Sequence, residues 1–461
     1  MKLYNKIATI LFSGLACIAC GTDEPGVDTI VPDQPSDDLI LGGDVDMSDW
    51  PDYTRPAMSA SGPSKVVYNQ NVSTVNGEPF IPLGIYGVNQ GDMPDVAAYG
   101  FNLIQSYQVS LDWTETQMLD WLDTAMENGL MAFVNLNGAT LDDAKIEKIK
   151  NVVRNYKDHP AIYAWYLADE PRIANTVPAE ITELYRWIRN EDPNHPVISS
   201  NWELNNFADA CDVDMRQLYN GVPSRLTEGL ENYMDGYGSY IKTWVAIVNS
   251  YESNWSNDGT VRNPDSMYSG LTEGTPEWEA AEAEAEFLIQ NMKDPEAAGL
   301  RFSSSFPKTP ELLRSSLYWS FVHGSNGFYY WLYSNKDNLN KRWGWYTIFH
   351  KPDLEATVQP VLDEFAQLSK FLINPGVSST SFSDNNGIFV WSKVVDRRRV
   401  VILINESDFE YEGSVDLSEL YIPGRTLQGY GGNDDGKEVT LEGNTLSGVF
   451  APNETHVYFV K

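Results

Sequence analysis

From about Lys65 the chain alternates short apolar runs with stretches in which apolar residues recur every three or four positions. The runs read as strands buried on both faces and the periodic stretches as helices with one apolar stripe. Lys65–Asn71 and Ser73–Phe80 predict a hairpin, with Asn76-Gly77 at a turn. Phe80–Tyr86 begins the series of buried runs and is followed by a short helix near Val96. Phe101–Tyr107 is the second run. Its helix starts at Thr114 and Glu115, carries Met118, Leu122, Ala125 and Met126 on one face, and stops at Gly129. Leu130–Asn135 precedes a helix marked by Ile146, Ile149, Val153 and Tyr156, and Ile162–Ala168 precedes one through Ile181–Ile188. His195–Ser200 and Asp212–Tyr219 are the fifth and sixth runs. A helix around Leu226–Tyr240 leads to Trp244–Ser250, the seventh. Thr309 as cap and Pro310 at the first helical position open a helix to Val322, before Gly327–Tyr333 and a closing helix Leu354–Phe371.

Eight strand–helix pairs in succession predict an α/β fold, a closed parallel (β/α)₈ barrel of the TIM type. Asn374-Pro375-Gly376 breaks the last helix, and beyond it the apolar positions alternate with period two. Ile388–Lys393, Val400–Ile404 and His456–Val460 are the clearest strands there, so this tail reads as a small C-terminal antiparallel β-sandwich. One stretch departs from the repeat. Residues 253–306 form an insertion after the seventh run, with an acidic helical segment at Pro276–Met292. A loop of that length at a barrel mouth is read as a lid or substrate wall, with disorder as the alternative.

Ahead of the barrel, Lys2 and Lys6 precede an apolar stretch from Ile7 to Ala19 that ends at Cys20. The stretch is too short for a membrane span and has the layout of a secretory leader. Ending at cysteine, it resembles a bacterial lipoprotein signal, which implies lipidation of Cys20, with Cys17 as the competing site. The acidic pair Asp23-Glu24 resembles the surface-export signal of Bacteroidota lipoproteins and implies an anchor on the outer face of the outer membrane. From Gly21 to Trp50 there is no Lys or Arg, and repeated Asp, Pro and Gly make the segment a disordered tether. The expected divisions are 1–20 (leader), 21–62 (acidic linker), 63–374 (barrel) and 375–461 (sandwich).

Composition narrows the chemistry. A formal net charge of −33 opposes nucleic-acid binding, which needs a basic footprint, and disfavours an extended polyanion. A neutral or weakly charged ligand is expected. Cys211 is the one thiol outside the leader; without a nearby His it reads as a buried structural residue. The five His are scattered without metal-ligand spacing, and no Gly-rich phosphate loop or nucleophile-elbow Ser follows a strand. No metal or cofactor is expected.

Barrel active sites lie at the C-terminal ends of the strands. There the fourth run ends Asp169-Glu170-Pro171, the seventh is followed by Glu252, the sixth ends at Tyr219 and the eighth carries Trp331. Carboxyls capping an apolar strand are costly unless they have partners or a task. His159-Pro160-Ala161-Ile162 leading into Asp169-Glu170-Pro171 resembles the strand-four segment of the clan A glycoside hydrolases. The resemblance covers most of residues 65–372 in layout, while the strand-four motif is its specific part. It implies Glu170 as acid/base and Glu252 as nucleophile of a retaining, two-carboxylate mechanism on a poly- or oligosaccharide. It further implies Tyr219 as hydrogen-bond partner of the nucleophile and Trp331 as the ring beneath the sugar. Asp169 departs from that pattern, in which a neutral Asn precedes the acid/base and donates to the sugar, and Glu252 lacks a distinctive flanking motif.

Glu203 and Asp112 are reserve carboxyls. The 14 Trp and 25 Tyr supply rings for packing or for stacking on the apolar face of a sugar, with Trp202, Trp255 and Trp331 as candidates. Two other readings stand beside the enzyme: a non-catalytic surface glycan-binding lipoprotein on a glycosidase-like barrel, and a scaffold whose barrel supports partner contacts.

Overall fold

The computed structural model describes residue 39 and residues 47–461, except 69–71, 139, 172–175, 201–203, 220, 238–239, 241–242, 253–254, 257–269, 292–300, 303–308, 335–345, 351 and 374–377. Cys17, Cys20, most of the linker, Trp202, Glu203 and the Asn374-Pro375-Gly376 break therefore lie outside the described residues.

Eight strands form a closed parallel ring in chain order: β1 (Leu83–Ile85), β2 (Leu103–Ile104), β3 (Met131–Asn135), β4 (Ile162–Asp169), β5 (Val197–Ser200), β6 (Val213–Leu218), β7 (Thr243–Asn249) and β8 (Phe328–Trp331). The ring closes where Phe328, Tyr329 and Tyr330 pair in parallel with Leu83, Gly84 and Ile85. Each strand lies inside its apolar run or, for β4 and β7, overruns it by one residue, and the helices between them start where the capping residues direct. Thr114 and Gln117 form a capping box at Glu115–Glu127, and Thr309 Oγ1 accepts from the Leu312 amide ahead of Pro310–Val322.

Two elements differ from expectation. Ser73–Phe80 is two strands, because Asn76 and Gly77 both take positive φ (53° and 87°) and turn the chain within it. The result is a three-stranded sheet with Val66–Tyr68 rather than a hairpin. The final helix is also two pieces, Pro352–Gln367 and Ser369–Ile373. At the break the Leu368 amide reaches both Glu364 and Phe365 carbonyls, and Ser369 Oγ accepts the Tyr53 amide.

The barrel interior is largely aromatic. Phe133 meets Tyr86, Tyr166 and Tyr329 at ring-centroid distances of 5.1, 5.6 and 5.5 Å, all edge-on. Gly84 makes room for this, since a β-carbon there would stand 2.2 Å from the Tyr329 ring. The outward residues of the same strands, Trp165 and Leu167 among them, pack against the helices. Residues 50–64 and the three-stranded sheet close the N-terminal end. The Tyr53 carbonyl accepts from the Ile81 amide, Thr54 from Asn102, Pro160 from Ser64 and Asn194 from the Val66 amide, all just ahead of barrel strands.

The C-terminal region is antiparallel: β9 (Ser379–Ser383), β10 (Ile388–Val395), β11 (Arg398–Asn405), β12 (Tyr411–Asp416), β13 (Thr426–Gly429), β14 (Glu438–Thr440), β15 (Thr445–Phe450) and β16 (Thr455–Val460). Six form one sheet in the order β9-β10-β11-β16-β13-β14, and β12 with β15 covers one of its faces through Val415, Leu446 and Phe450. The other face, with Trp391, Ile402, Val457 and Phe459, joins the barrel-helix core. At that junction Arg314, 3% exposed, donates to Glu364 and to the Thr455 and Tyr430 carbonyls.

Close by, the His456 ring lies between Asp434 and Glu454, the latter 3.3 Å away. Burial pulls the imidazole pKa down, but the two carboxylates outweigh it and raise the value from 6.5 to about 9. A raised folded-state pKa gives stability that is fully present below pH 6.5 and lost as pH rises through about 9. Thermal melts of the wild type should therefore lose on the order of 3 kcal/mol across that window, and His456→Gln should flatten this alkaline decline. Parallel pH profiles for the two proteins would contradict the assignment.

Candidate active site

Tyr166 and Asp169 both reach the inner face of β4 although they are three residues apart, because an irregularity in register between Tyr166 and Ala168 interrupts the alternation and re-aims the strand end. Glu170 then leaves the strand at φ 44°, its amide donating to the Ser200 carbonyl at 2.9 Å. This places both carboxyl residues on a cavity at the C-terminal mouth. Its remaining lining is Tyr86 beyond β1, Tyr107 beyond β2, Gln217 and Tyr219 at the end of β6, Ile247 on β7 and Trp331 ending β8.

The wall is braced from several strands. Trp331 stacks on Tyr219 (centroids 5.7 Å apart, 28° between planes), and its indole Nε1 donates to the Tyr107 hydroxyl at 2.8 Å. The Ser250 amide donates to the Trp331 carbonyl, and Ser250 Oγ to the Leu332 carbonyl at 2.6 Å. Gln217 Nε2 donates to Ser200 Oγ at 2.8 Å, so β5 holds both Gln217 and the Glu170 backbone. The Asp169 carboxyl is raised to about 6, chiefly by burial and further by neighbouring Glu170, with the Tyr166 hydroxyl pulling it partly back.

Four residues expected from the sequence thus meet in one cavity: Asp169, Glu170, Tyr219 and Trp331. Glu252 has its backbone in a two-residue strand just past β7, paired with Tyr346–Thr347, and its side chain lies outside the described atoms. Trp255 is placed likewise, in a pair with Phe302. Asp112 is no part of the lining; its side chain is 71% exposed and pairs with Lys148 at 2.6 Å. Tyr86, Tyr107, Tyr166, Gln217 and Ile247 were not anticipated. Tyr86 and Tyr107 end the first two apolar runs, and Gln217 lies two residues before Tyr219, so strand ends and period two carried the signal. Among the described residues no three His, Cys, Asp or Glu side chains group as metal ligands.

Residues 113–273, from the helix before β3 to beyond β7, match the family described as "Glycosyl hydrolases family 2, TIM barrel domain". That match covers about a third of the chain, all of it in and just beyond the barrel, and supports an enzyme of the glycoside hydrolase class. No curated protein sequence matches it. Solved structures with a similar course include an α-amylase from Geobacillus thermoleovorans in complex with acarbose (10% identity, 81% of this chain and 91% of that one, TM-score 0.49). Others are a GH27 β-L-arabinopyranosidase from Geobacillus stearothermophilus (9%, 83% and 96%, TM-score 0.49) and a GH30 endoxylanase from Clostridium papyrosolvens (11%, 87% and 100%, TM-score 0.41).

The Tyr107–Trp331 hydrogen bond fixes the indole over the cavity. Tyr107→Phe removes that acceptor while keeping the ring, and should weaken ligand affinity by about fivefold, the equivalent of one ordinary hydrogen bond. Calorimetric titration with a sugar ligand checks this; unchanged affinity would mean that Trp331 is held in place without the Tyr107 hydrogen bond.

Proposed function

We propose that the chain cleaves glycosidic bonds of a poly- or oligosaccharide with retention of configuration, Glu170 acting as acid/base and Glu252 as nucleophile. The observation that carries this reading is Glu170 at the end of β4, inside an aromatic-walled cavity at the barrel mouth. Glycosidic cleavage needs one carboxyl that delivers a proton to the leaving oxygen and later recovers one from water. A residue at that position, with its backbone pinned to β5, points such a group at a bound sugar. Trp331 and Tyr219 offer ring faces to the apolar side of a pyranose. Trp202 and Trp255 are assigned further stacking surfaces on their sequence positions.

Glu252 is assigned as nucleophile because it follows β7, three strands round the ring from β4. Residues at those two strand ends stand across the mouth from one another. Tyr219 is its proposed hydrogen-bond partner. The leader ending at Cys20 supports lipid anchoring on the cell surface, at the outer face of the outer membrane, where polysaccharide is met.

Glu170→Gln should lower activity by roughly 10²–10⁴-fold on substrates with poor leaving groups, and much less on activated aryl glycosides. Glu252→Gln should abolish both, since no covalent intermediate forms. An active Glu252→Gln enzyme, or an inverted product anomer by NMR, would remove the nucleophile assignment. Cys20→Ser should release the protein from the membrane fraction. Release by Cys17→Ser instead would move the anchor.

A further inference from the structure

The cavity holds a second carboxyl that the acid/base role leaves unused. Asp169 ends β4 and lines the pocket beside Glu170. Titratable groups face it from several elements: Glu170 and Tyr166 on its own strand, Tyr86 past β1, Tyr107 past β2 and Tyr219 past β6. Uncharged Gln217, Ile247 and Trp331 complete the lining, and among the described residues no Lys or Arg takes part.

Burial pushes the Tyr86 and Tyr166 phenols far above their ordinary range, so they stay neutral, whereas Asp169, at about 6, is mostly ionised at pH 7. An aromatic ring presents a negative face, and a half-buried carboxylate walled by such rings is a favourable seat for a cation. The Tyr166 hydroxyl, fully buried in this wall, sits beside the Asp169 carboxyl and the Tyr86 hydroxyl and favours the ionised form of Asp169.

We infer that the pocket selects a sugar unit bearing a free ammonium group, an amino sugar, with Asp169 as the counter-charge and the tyrosine and tryptophan rings as its walls. The inference rests on the reading of this cavity as the glycosidic site and adds the class of sugar it takes. An N-acetylated amine carries no charge and leaves Asp169 uncompensated, and an acidic sugar brings a like charge beside two carboxyls. Asp169 gains its charge as pH rises through about 6, and a sugar amine loses its own at roughly 8, as an α-amino group does. Affinity for the amine should therefore peak between these values.

The test is calorimetric titration of the full chain with glucosamine, N-acetylglucosamine and glucose oligomers of one length, at pH 5, 7 and 9. The wild type should bind the glucosamine oligomer about tenfold more tightly than either other at pH 7, with the preference shrinking at both extremes. Asp169→Asn should erase the preference, and Asp169→Glu should restore part of it. Equal affinity of the wild type for the three oligomers overturns the inference, as does a preference that survives Asp169→Asn. A preference for the amine without cleavage of any oligomer would sink the hydrolytic mechanism instead. Cleavage of neutral oligomers with no preference for the amine would sink the inference and spare the mechanism.

Discussion

A closed parallel barrel leaves a central column that only side chains can fill, and here aromatic rings fill it. Tyr86, Phe133, Tyr166 and Tyr329 pack edge to face, and the absence of a side chain at Gly84 lets the Tyr329 ring lie against the β1 backbone. Below them Tyr163 donates to the Tyr68 hydroxyl at 2.9 Å, so the two phenols are paired beneath the rings. Tyr86 and Tyr166 belong both to this column and to the cavity lining. The floor of the site is therefore the top of the core, and its geometry is as stiff as close-packed rings allow. Glu170 inherits that stiffness, because it is the first residue beyond β4.

The C-terminal sheet is held to the barrel by apolar packing around one concentrated polar point. Arg314 projects from a barrel helix into a site where Glu364 accepts from Nε and Nη2, the Thr455 carbonyl from Nη1, and the Tyr430 carbonyl shares Nη2. Such a buried pair adds little net stability over a hydrophobic substitute, but removing one partner leaves an uncompensated charge. Its effect is therefore one of register. The loop that caps it is glycine at Gly431 and Gly432, where a β-carbon would stand 2.2 Å from the Glu364 carboxyl and 2.8 Å from the Arg314 guanidinium. The sheet docks in the one position that brings those glycines over the pair.

Much of this was legible in the sequence because barrel strands are buried on both faces and so stand out as continuous apolar runs. β4, from Ile162 to Asp169, is the plainest case, with its carboxyls at the end where the chemistry belongs. The break at Leu368 was hidden, since Leu354, Val358, Val361, Leu362, Phe365 and Phe371 keep a single apolar stripe across it. What marks the break is tertiary: Ser369, just past it, accepts the amide of Tyr53, more than three hundred residues upstream. The cavity's tyrosines were obscured for a related reason. A tyrosine at the end of an apolar run reads as core, and only the closure of the ring turns Tyr86 and Tyr107 toward the same space.

The strap formed by residues 50–64 crosses the pole of the barrel opposite the mouth. The polypeptide consequently has a handle at its back and its working face at its front. The chain therefore enters the barrel from the pole opposite the cavity, and the upstream segment need not cross the mouth to reach the fold.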